Sequence, residues 1–364
     1  MRALHTGLMA DAPGTTAPTE VSTPGGHGRI LSLEVVRGVA AAVVLLHHSL
    51  AAGLPAYDEW TRAFVDPGRI GVVMFFVVSG YVIPLSLDKQ PLTAFVIRRL
   101  FRLFPLYWLV LVLYVLLDST VRNGDYSSAV WVLNAVMVQG VLSIATIIPT
   151  AWTLGIEMAF YAQASVFSRY CRRIRADALG YAWLVLFALM MLAQGIAERP
   201  LPVTGPLLLF TAAIGHTFYL VQHREVPKIR LIRLVVCGLV VVPMTSALGG
   251  HADPNWGPFV YSASWIAGVL NFALVTTLGR VVRPRVATFL GNTSYGVYLL
   301  HPLVHNMFAD RIDSVAILVT VTCVVTYLVA QVVHRGLEAP LISVGRRLTS
   351  DRLRSSAAAP LRRS

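Results

Sequence analysis

Apolar runs about as long as a bilayer is thick recur along almost the whole chain, and they constrain its fold more than any other feature. Ten such segments span roughly residues 30–52, 69–87, 103–118, 150–168, 179–197, 205–221, 231–248, 259–279, 286–307 and 313–333. A hydrocarbon core takes about 20 residues of helix. Inside it every peptide N–H and C=O must find its partner within the protein, which helices achieve locally. The expectation is therefore an all-α polytopic membrane protein of about ten transmembrane helices, in a single bundle with a central cavity. Composition agrees: 56% of the residues are hydrophobic and 13% are charged, against about 25% charged in a soluble domain.

An eleventh apolar stretch, 129–149, contains Asn134 and Gln139 and runs into Ile-Ile-Pro-Thr-Ala-Trp. It reads as interfacial or re-entrant, because one more span would invert everything after it. Residues 1–29, rich in Pro, Gly, Thr and Ala, read as a flexible tail without a signal-peptide pattern. Residues 30–342 form the membrane domain, and residues 343–364 a basic, low-complexity cytoplasmic tail.

Charge sets the orientation. The formal net charge is +12, which in a soluble protein would point to nucleic acid. In a membrane chain basic residues collect in cytoplasmic loops, so membrane lipids, and no nucleic acid, are the expected partners. With both termini inside, all of the 30 Lys and Arg except Arg62, Arg69, Arg122, Arg199 and Arg311 fall on the cytoplasmic side. Cys171, Cys237 and Cys323 are isolated in sequence, so neither a disulfide framework nor a zinc site is indicated. No metal site is expected, and the sequence carries no signal of oligomeric state.

Ionisable groups at membrane depth are expensive and mark function by default. In the first span, RGVAAAVVLLHH, Arg37 and His48 lie eleven residues apart. At 100° and 1.5 Å per residue they share one helix face, about 20° apart in azimuth and roughly 16 Å apart in depth. Glu34 shares that broad face, and His47 lies off it. Glu157, near the outer start of the fourth span, falls at a depth that matches His48. In the ninth span Ser294, Tyr298, His301 and His305 recur at i, i+4, i+7 and i+11, one helix face. A His–Glu–His cluster near the outer surface is expected, with Arg37, Arg98, Arg99 and Arg102 nearer the cytoplasm.

These stretches, in order over about residues 31–342, resemble the acyltransferase 3 family of integral membrane acyltransferases. RGVAAAVVLLHH looks like the family's Arg-x10-His signature, on Arg37 and His48. GVVMFFVVSGYVI resembles its second-span motif, ending in Ser79 and Gly80, although Val73 stands where an acidic residue is frequent. FVIRRLFRLFPLYW resembles its arginine-rich approach to the third span, and WTLGIEMAFY its Trp/Glu motif through Trp152 and Glu157. LGNTSYGVYLLHP resembles the late motif, through Ser294, Tyr295, Tyr298, His301 and Pro302. LEAP, with Glu338 and Pro340, loosely matches the closing motif.

The resemblance implies transfer of an acyl group, acetyl by default, from acyl-CoA to a hydroxyl. The acceptor is a sugar on an envelope glycan, a glycolipid or a secondary metabolite such as a macrolide, and the location is the bacterial cytoplasmic membrane. It also implies roles: His48 as general base and Glu157 as the group that orients it, both counted as catalytic. Arg37, Arg98, Arg99 and Arg102 would hold the CoA polyanion, with Trp152, Ser294, Tyr298 and His301 on the acceptor side. Acyl-CoA is a co-substrate, and no tightly bound cofactor is expected. Direct transfer and a covalent acyl-histidine both remain open. Two other readings compete. One is a transporter or flippase of a glycan or metabolite, although no internal repeat supports it. The other is a non-catalytic assembly or sensor subunit, against which the complete set of motif residues argues.

Overall fold

The computed structural model describes the backbone of residues 26–118, 121, 124, 126–170, 176–223, 225–253 and 255–358; of these, the side chains of 26–30, 168–170 and 351–358 are not described. The expected tail thus lies outside the described residues up to position 25, as does Cys171. The chain is 84% helical with no strands among the described residues. Its helices are α1 (Gly26–Gly53), α2 (Pro55–Ala63), α3 (Pro67–Asp88), α4 (Leu92–Leu117), α5 (Ser128–Ala135), α6 (Trp152–Tyr170) and α7 (Ala176–Ala197). They continue with α8 (Thr204–Gln222), α9 (Lys228–Gly249), α10 (Val260–Leu278), α11 (Pro284–Ala309), α12 (Val315–Val333) and α13 (Ala339–Ala358).

Among the described residues eight helices are long and apolar enough to cross a membrane: α1, α3, α4, α7, α8, α9, α10 and the run of α12 into α13. The two remaining long segments expected to span are α6 and α11. They fall short of that apolarity because they carry Glu157, Tyr161 and Gln163, and Thr293, Ser294, Tyr295, Tyr298, His301 and His305. On α11 all six of those polar and aromatic side chains are buried. Their cost in lipid is avoided because they face protein and cavity.

Helices α3 and α8 are the most enclosed of the spans. α3 packs on α1, α8 and α10, α1 packs on α11, and α7 and α9 flank α8. Small residues bring the backbones together, as is usual where lipid supplies no hydrophobic drive between helices. A Cβ on Gly80 would stand 2.0 Å from the Ala212 carbonyl oxygen of α8, and one on Gly71 would stand 2.7 Å from the Ala40 carbonyl oxygen of α1. At both positions any side chain forces the helices apart.

The stretch 129–149 does not span. Only Ser128–Ala135 is helical, about 12 Å of helix at 1.5 Å per residue, and the rest is irregular, with Met137 and Ser143 at positive φ. Asn134 is satisfied internally, while Gln139 donates from Nε2 to Tyr107 Oη and the Ala151 carbonyl (both 3.3 Å) and its Oε1 has no partner among the described residues. Asn134 Nδ2 donates to the Val130 and Ala145 carbonyls (both 2.9 Å), its Oδ1 accepts from the Ile147 amide (3.0 Å), and Tyr107 donates to the Asn134 carbonyl (2.7 Å). The re-entrant reading holds in that sense: Met137, Ile147 and Ile148 are fully enclosed.

The basic segment after 342 is helical through Ala358. Its inner part docks on α4, where Arg98 Nε donates to Thr349 Oγ1 at 2.8 Å.

Gly80→Val is expected to lower the thermal unfolding midpoint in detergent by an amount equivalent to about 1–3 kcal/mol of overpacking. Gly205→Ala, where a Cβ meets nothing within 4 Å, leaves the midpoint unchanged. A scanning thermal melt of the two variants checks the contrast.

Candidate active site

Two cavities lie end to end within the bundle. The inner one, about 80 Å³, is lined by Arg37 of α1, Ser79 of α3, Arg99 and Arg102 of α4, Glu157 and Tyr161 of α6, and Ser294 and Tyr295 of α11, among apolar neighbours. The outer one, about 290 Å³, is lined by His47, His48, Asp58, Arg62, Asp66, Arg69, Thr150, Trp152 and Trp256 among others. Val72 and Tyr298 line both. The inner cavity lies on the side of Arg37 and the arginine-rich first half of α4, and the outer one toward the C-terminal end of α1.

The inner cavity is cationic. Arg37, Arg99 and Arg102 bring three guanidinium groups to it, against one carboxylate, that of Glu157. Glu157 Oε1 is already committed, accepting from Ser79 Oγ at 2.9 Å and from Tyr161 Oη at 2.5 Å. Arg99 lies over the rings of Phe95 (5.4 Å) and Tyr161 (5.3 Å), a cation–π arrangement that holds the charge without neutralising it. None of the three arginines has a hydrogen bond or ion pair with the other described residues. Arg98 does not join them. It is spent on Thr349 and on Gln90 Oε1 (2.7 Å), toward the N-terminal end of α4.

The outer cavity holds the histidines. His48 is exposed into it, and its Nδ1 lies 2.9 Å from Nε2 of the fully buried His301. His301 Nδ1 lies 3.0 Å from the Val297 carbonyl oxygen. A lone pair cannot face a carbonyl oxygen at that distance, so Nδ1 of His301 carries the proton and its Nε2 accepts. His48 must then donate from Nδ1, which leaves its Nε2 as an unprotonated base. The tautomer is fixed by the chain of partners from Val297 to His301 to His48.

Glu157 does not meet His48, contrary to expectation. Its carboxylate lines the inner cavity, and His301 takes the place expected for it. The reason lies in the preceding loop, which folds into the bundle, so that α6 begins below the outer surface. Thr153, in its first turn, meets Tyr298 Oη at 2.7 Å, and Glu157 lies one turn deeper still. Of the expected acceptor-side residues, Trp152 and Tyr298 line the outer cavity, His301 sits behind His48, and Ser294 belongs to the inner one.

Proline explains how the loop is tied to α11. Pro302 has no N–H, so the Tyr298 carbonyl four residues earlier loses its helical donor. Thr150 Oγ1 donates to that carbonyl at 3.2 Å, and Tyr298 Oη donates back to the Thr150 carbonyl at 3.1 Å.

A charged rim surrounds the outer cavity. His47 Nε2 lies 3.1 Å from Asp66 Oδ1, and Arg69 Nε 3.2 Å from Asp66 Oδ2. The Arg69 guanidinium lies 4.4 Å from the ring centres of both Trp256 and Tyr261. Arg62 pairs with Asp58 at 2.7 Å. Burial, with a smaller contribution from Asp66, holds the Tyr57 phenol above its ordinary pKa. It therefore donates to His47 Nδ1 at 3.3 Å, leaving Nε2–H for Asp66. Two of the five arginines that stand outside in the orientation count, Arg62 and Arg69, are thus each matched by a carboxylate. The i, i+4 spacing of Asp58 and Arg62 signals one such pair, whereas the meeting of His47 with Asp66 has no local signature.

A family model described as an acyltransferase domain matches residues 30–335. Among curated proteins the chain is 26% identical over 247 residues to "Exopolysaccharide production protein ExoZ" of Rhizobium meliloti (strain 1021), covering 64% of this chain and 75% of the relative. It is 23% identical over 270 residues to "Putative acetyltransferase ORF330" of Acidianus two-tailed virus, covering 69% and 79%. No solved structure matches at a significant level.

Thr150→Val removes the hydroxyl that donates to the Tyr298 carbonyl and is expected to cost about 0.5–1.5 kcal/mol, the net worth of one buried hydrogen bond. Thr320→Val, whose hydroxyl bonds back to Ala316 on an exposed face, is expected to be close to neutral. Paired melts distinguish the two.

Proposed function

This chain belongs to the acyltransferase 3 family, and from that premise we propose that it moves a short acyl group from acyl-CoA on the cytoplasmic side to a sugar hydroxyl on the opposite side of a bacterial cytoplasmic membrane. That it is a multi-pass membrane acyltransferase follows from the family and the helices. The donor, the acceptor and the roles of the residues are this proposal.

The observation that carries it is the set of three guanidinium groups, Arg37, Arg99 and Arg102, without a hydrogen bond or ion pair among the described residues, around one cavity that abuts the cavity of His48. Uncompensated cations at membrane depth are unfavourable unless an anion joins them. The phosphates of CoA are such an anion, and guanidinium forks bind phosphate through paired donors. The flexible pantetheine arm then reaches from these arginines toward the neck at Val72 and Tyr298. The roughly 16 Å between Arg37 and His48 along α1 is of the order of that arm's length. Arg98, committed to Thr349 and Gln90, is left out of the donor site.

In the reaction, the acceptor oxygen adds to the thioester carbonyl while His48 Nε2 takes the hydroxyl proton. The C–S bond then breaks, the thiolate leaves with that proton, and ester and free CoA thiol result. His301 keeps the His48 lone pair turned to the cavity by accepting from Nδ1, and stabilises the imidazolium poorly, which favours prompt return of the proton to the thiolate. Glu157 acts on the donor side: it holds Ser79 and Tyr161 in place and moderates the arginine charge. A carbohydrate acceptor is supported by the relative named for exopolysaccharide production. It also suits an outer cavity with two tryptophans and mutually paired charges.

The assay uses native membranes, isotopically labelled acetyl-CoA and mild-base release of esterified acetate from the carbohydrate fraction. His48→Ala is expected to lose about 10²–10⁴-fold of the transfer, the usual worth of a general base. His301→Gln, whose amide oxygen can still accept from His48, should retain more activity than His301→Ala. Full transfer by a correctly inserted His48→Ala protein would remove the histidine from the mechanism.

For the donor site, Arg99→Gln and Arg102→Gln should each weaken CoA binding about tenfold or more and reduce its salt dependence. Arg98→Gln should leave both unchanged. Titration of purified protein with CoA at two ionic strengths checks this.

A further inference from the structure

We propose that Val72 is a specificity-determining residue: with Tyr298 it forms the neck between the two cavities, and its side chain sets the longest acyl group transferred. This rests on the acyl-transfer reading above. Val72 and Tyr298 are the residues common to the linings of the inner and outer cavities. A carbonyl attached to CoA in the inner cavity and attacked by a hydroxyl beside His48 in the outer one must sit at that junction.

The neck is rigid on both sides. Tyr298 Oη is held by Thr153 (2.7 Å) and the Thr150 carbonyl (3.1 Å), and its ring meets Phe75 edge-on at 5.5 Å. It cannot swing aside without losing all three. Val72 is branched at Cβ, which leaves one strongly preferred rotamer in a helix, and it is 8% exposed. Its neighbour Gly71 lies so close to α1 that even a Cβ there would stand 2.7 Å from the Ala40 carbonyl oxygen, so α3 has no room to shift toward α1. Neither a rotamer change nor a shift toward α1 widens the passage.

Val72 also walls off a third space. A cavity of about 20 Å³ has Val72 in its wall, with Val73, Leu207, Leu208 and Trp265 giving it an apolar side and Arg69, Tyr261 and Ser264 a polar one. Trimming Val72 joins that cavity to the neck and gives a longer acyl tail an apolar side to lie against. In the native protein the inner cavity of about 80 Å³, shared with the arm of the donor, leaves room for a short acyl group.

The test presents native membranes with an equimolar mixture of acetyl-, propionyl- and butyryl-CoA, each labelled in the acyl carbons. Esterified acids are released by mild base and counted by mass, with membranes carrying His48→Ala as background. The wild type is expected to favour acetyl. Val72→Ala should raise the butyryl-to-acetyl ratio about tenfold or more, and Val72→Ile should lower the propionyl-to-acetyl ratio, since one methylene in a fitted apolar site is worth about 10–200-fold. A ratio is internal to each sample and does not depend on how much variant protein inserts. Acetyl transfer with both ratios unchanged would overturn the role of Val72 alone. Absence of any labelled ester with the wild type would overturn the acyl-transfer reading and this inference with it.

Discussion

Positive charge in excess of the carboxylates around it, held at the depth of a membrane, is the constraint around which the bundle is organised. Arg37, Arg99 and Arg102 come from two helices and converge on one cavity where the single lining carboxylate, Glu157, is already occupied by Ser79 and Tyr161. Such an arrangement is unstable in isolation and becomes favourable when an anion enters. Contrast sharpens the point: on the outer side, Arg62 and Arg69 are each matched by a carboxylate, Asp58 and Asp66. The same residue type is left open on one side and neutralised on the other, so the protein presents an anion-seeking face and a charge-balanced face, separated by a neck.

The packing follows from that division. The apolar helices α7, α9 and α12 stand at the lipid boundary, while α1, α3, α6 and α11 supply the polar groups and turn them inward. Close contacts at Gly71 and Gly80 draw α1, α3 and α8 together, and Pro302 opens one carbonyl on α11 that the loop before α6 fills through Thr150. The loop in turn pushes the start of α6 below the surface. One missing N–H therefore bears on which cavity receives Glu157.

Much of this was legible in the sequence, because a helix fixes depth and azimuth along itself. The spans, the shared face of Arg37 and His48, and the buried face of Ser294, Tyr298 and His301 all follow from periodicity. Relations between helices do not. Glu157 matched His48 in distance from a helix end, yet it lines the other cavity, because the re-entrant loop moves the origin from which that distance is counted. Arg98 and Arg102 sit four residues apart in one motif, yet Arg98 is turned to Thr349 on a segment that reads as a low-complexity tail. The hydrogen-bond partner of His48 was among the named residues, in His301, but the pairing emerges only when Nδ1 of His301 is seen against the Val297 carbonyl.

Sidedness is the most direct test of the account, since the donor and the acceptor are assigned to opposite faces. Acetyl-CoA does not cross a sealed bilayer, so labelled donor can be offered to one face at a time. In sealed inside-out vesicles, external label should appear as base-labile ester on the carbohydrate fraction. In sealed right-side-out vesicles it should appear only after permeabilisation. Equal incorporation by intact right-side-out vesicles would contradict the assignment of the arginine cavity to the donor and of the His48 cavity to the acceptor.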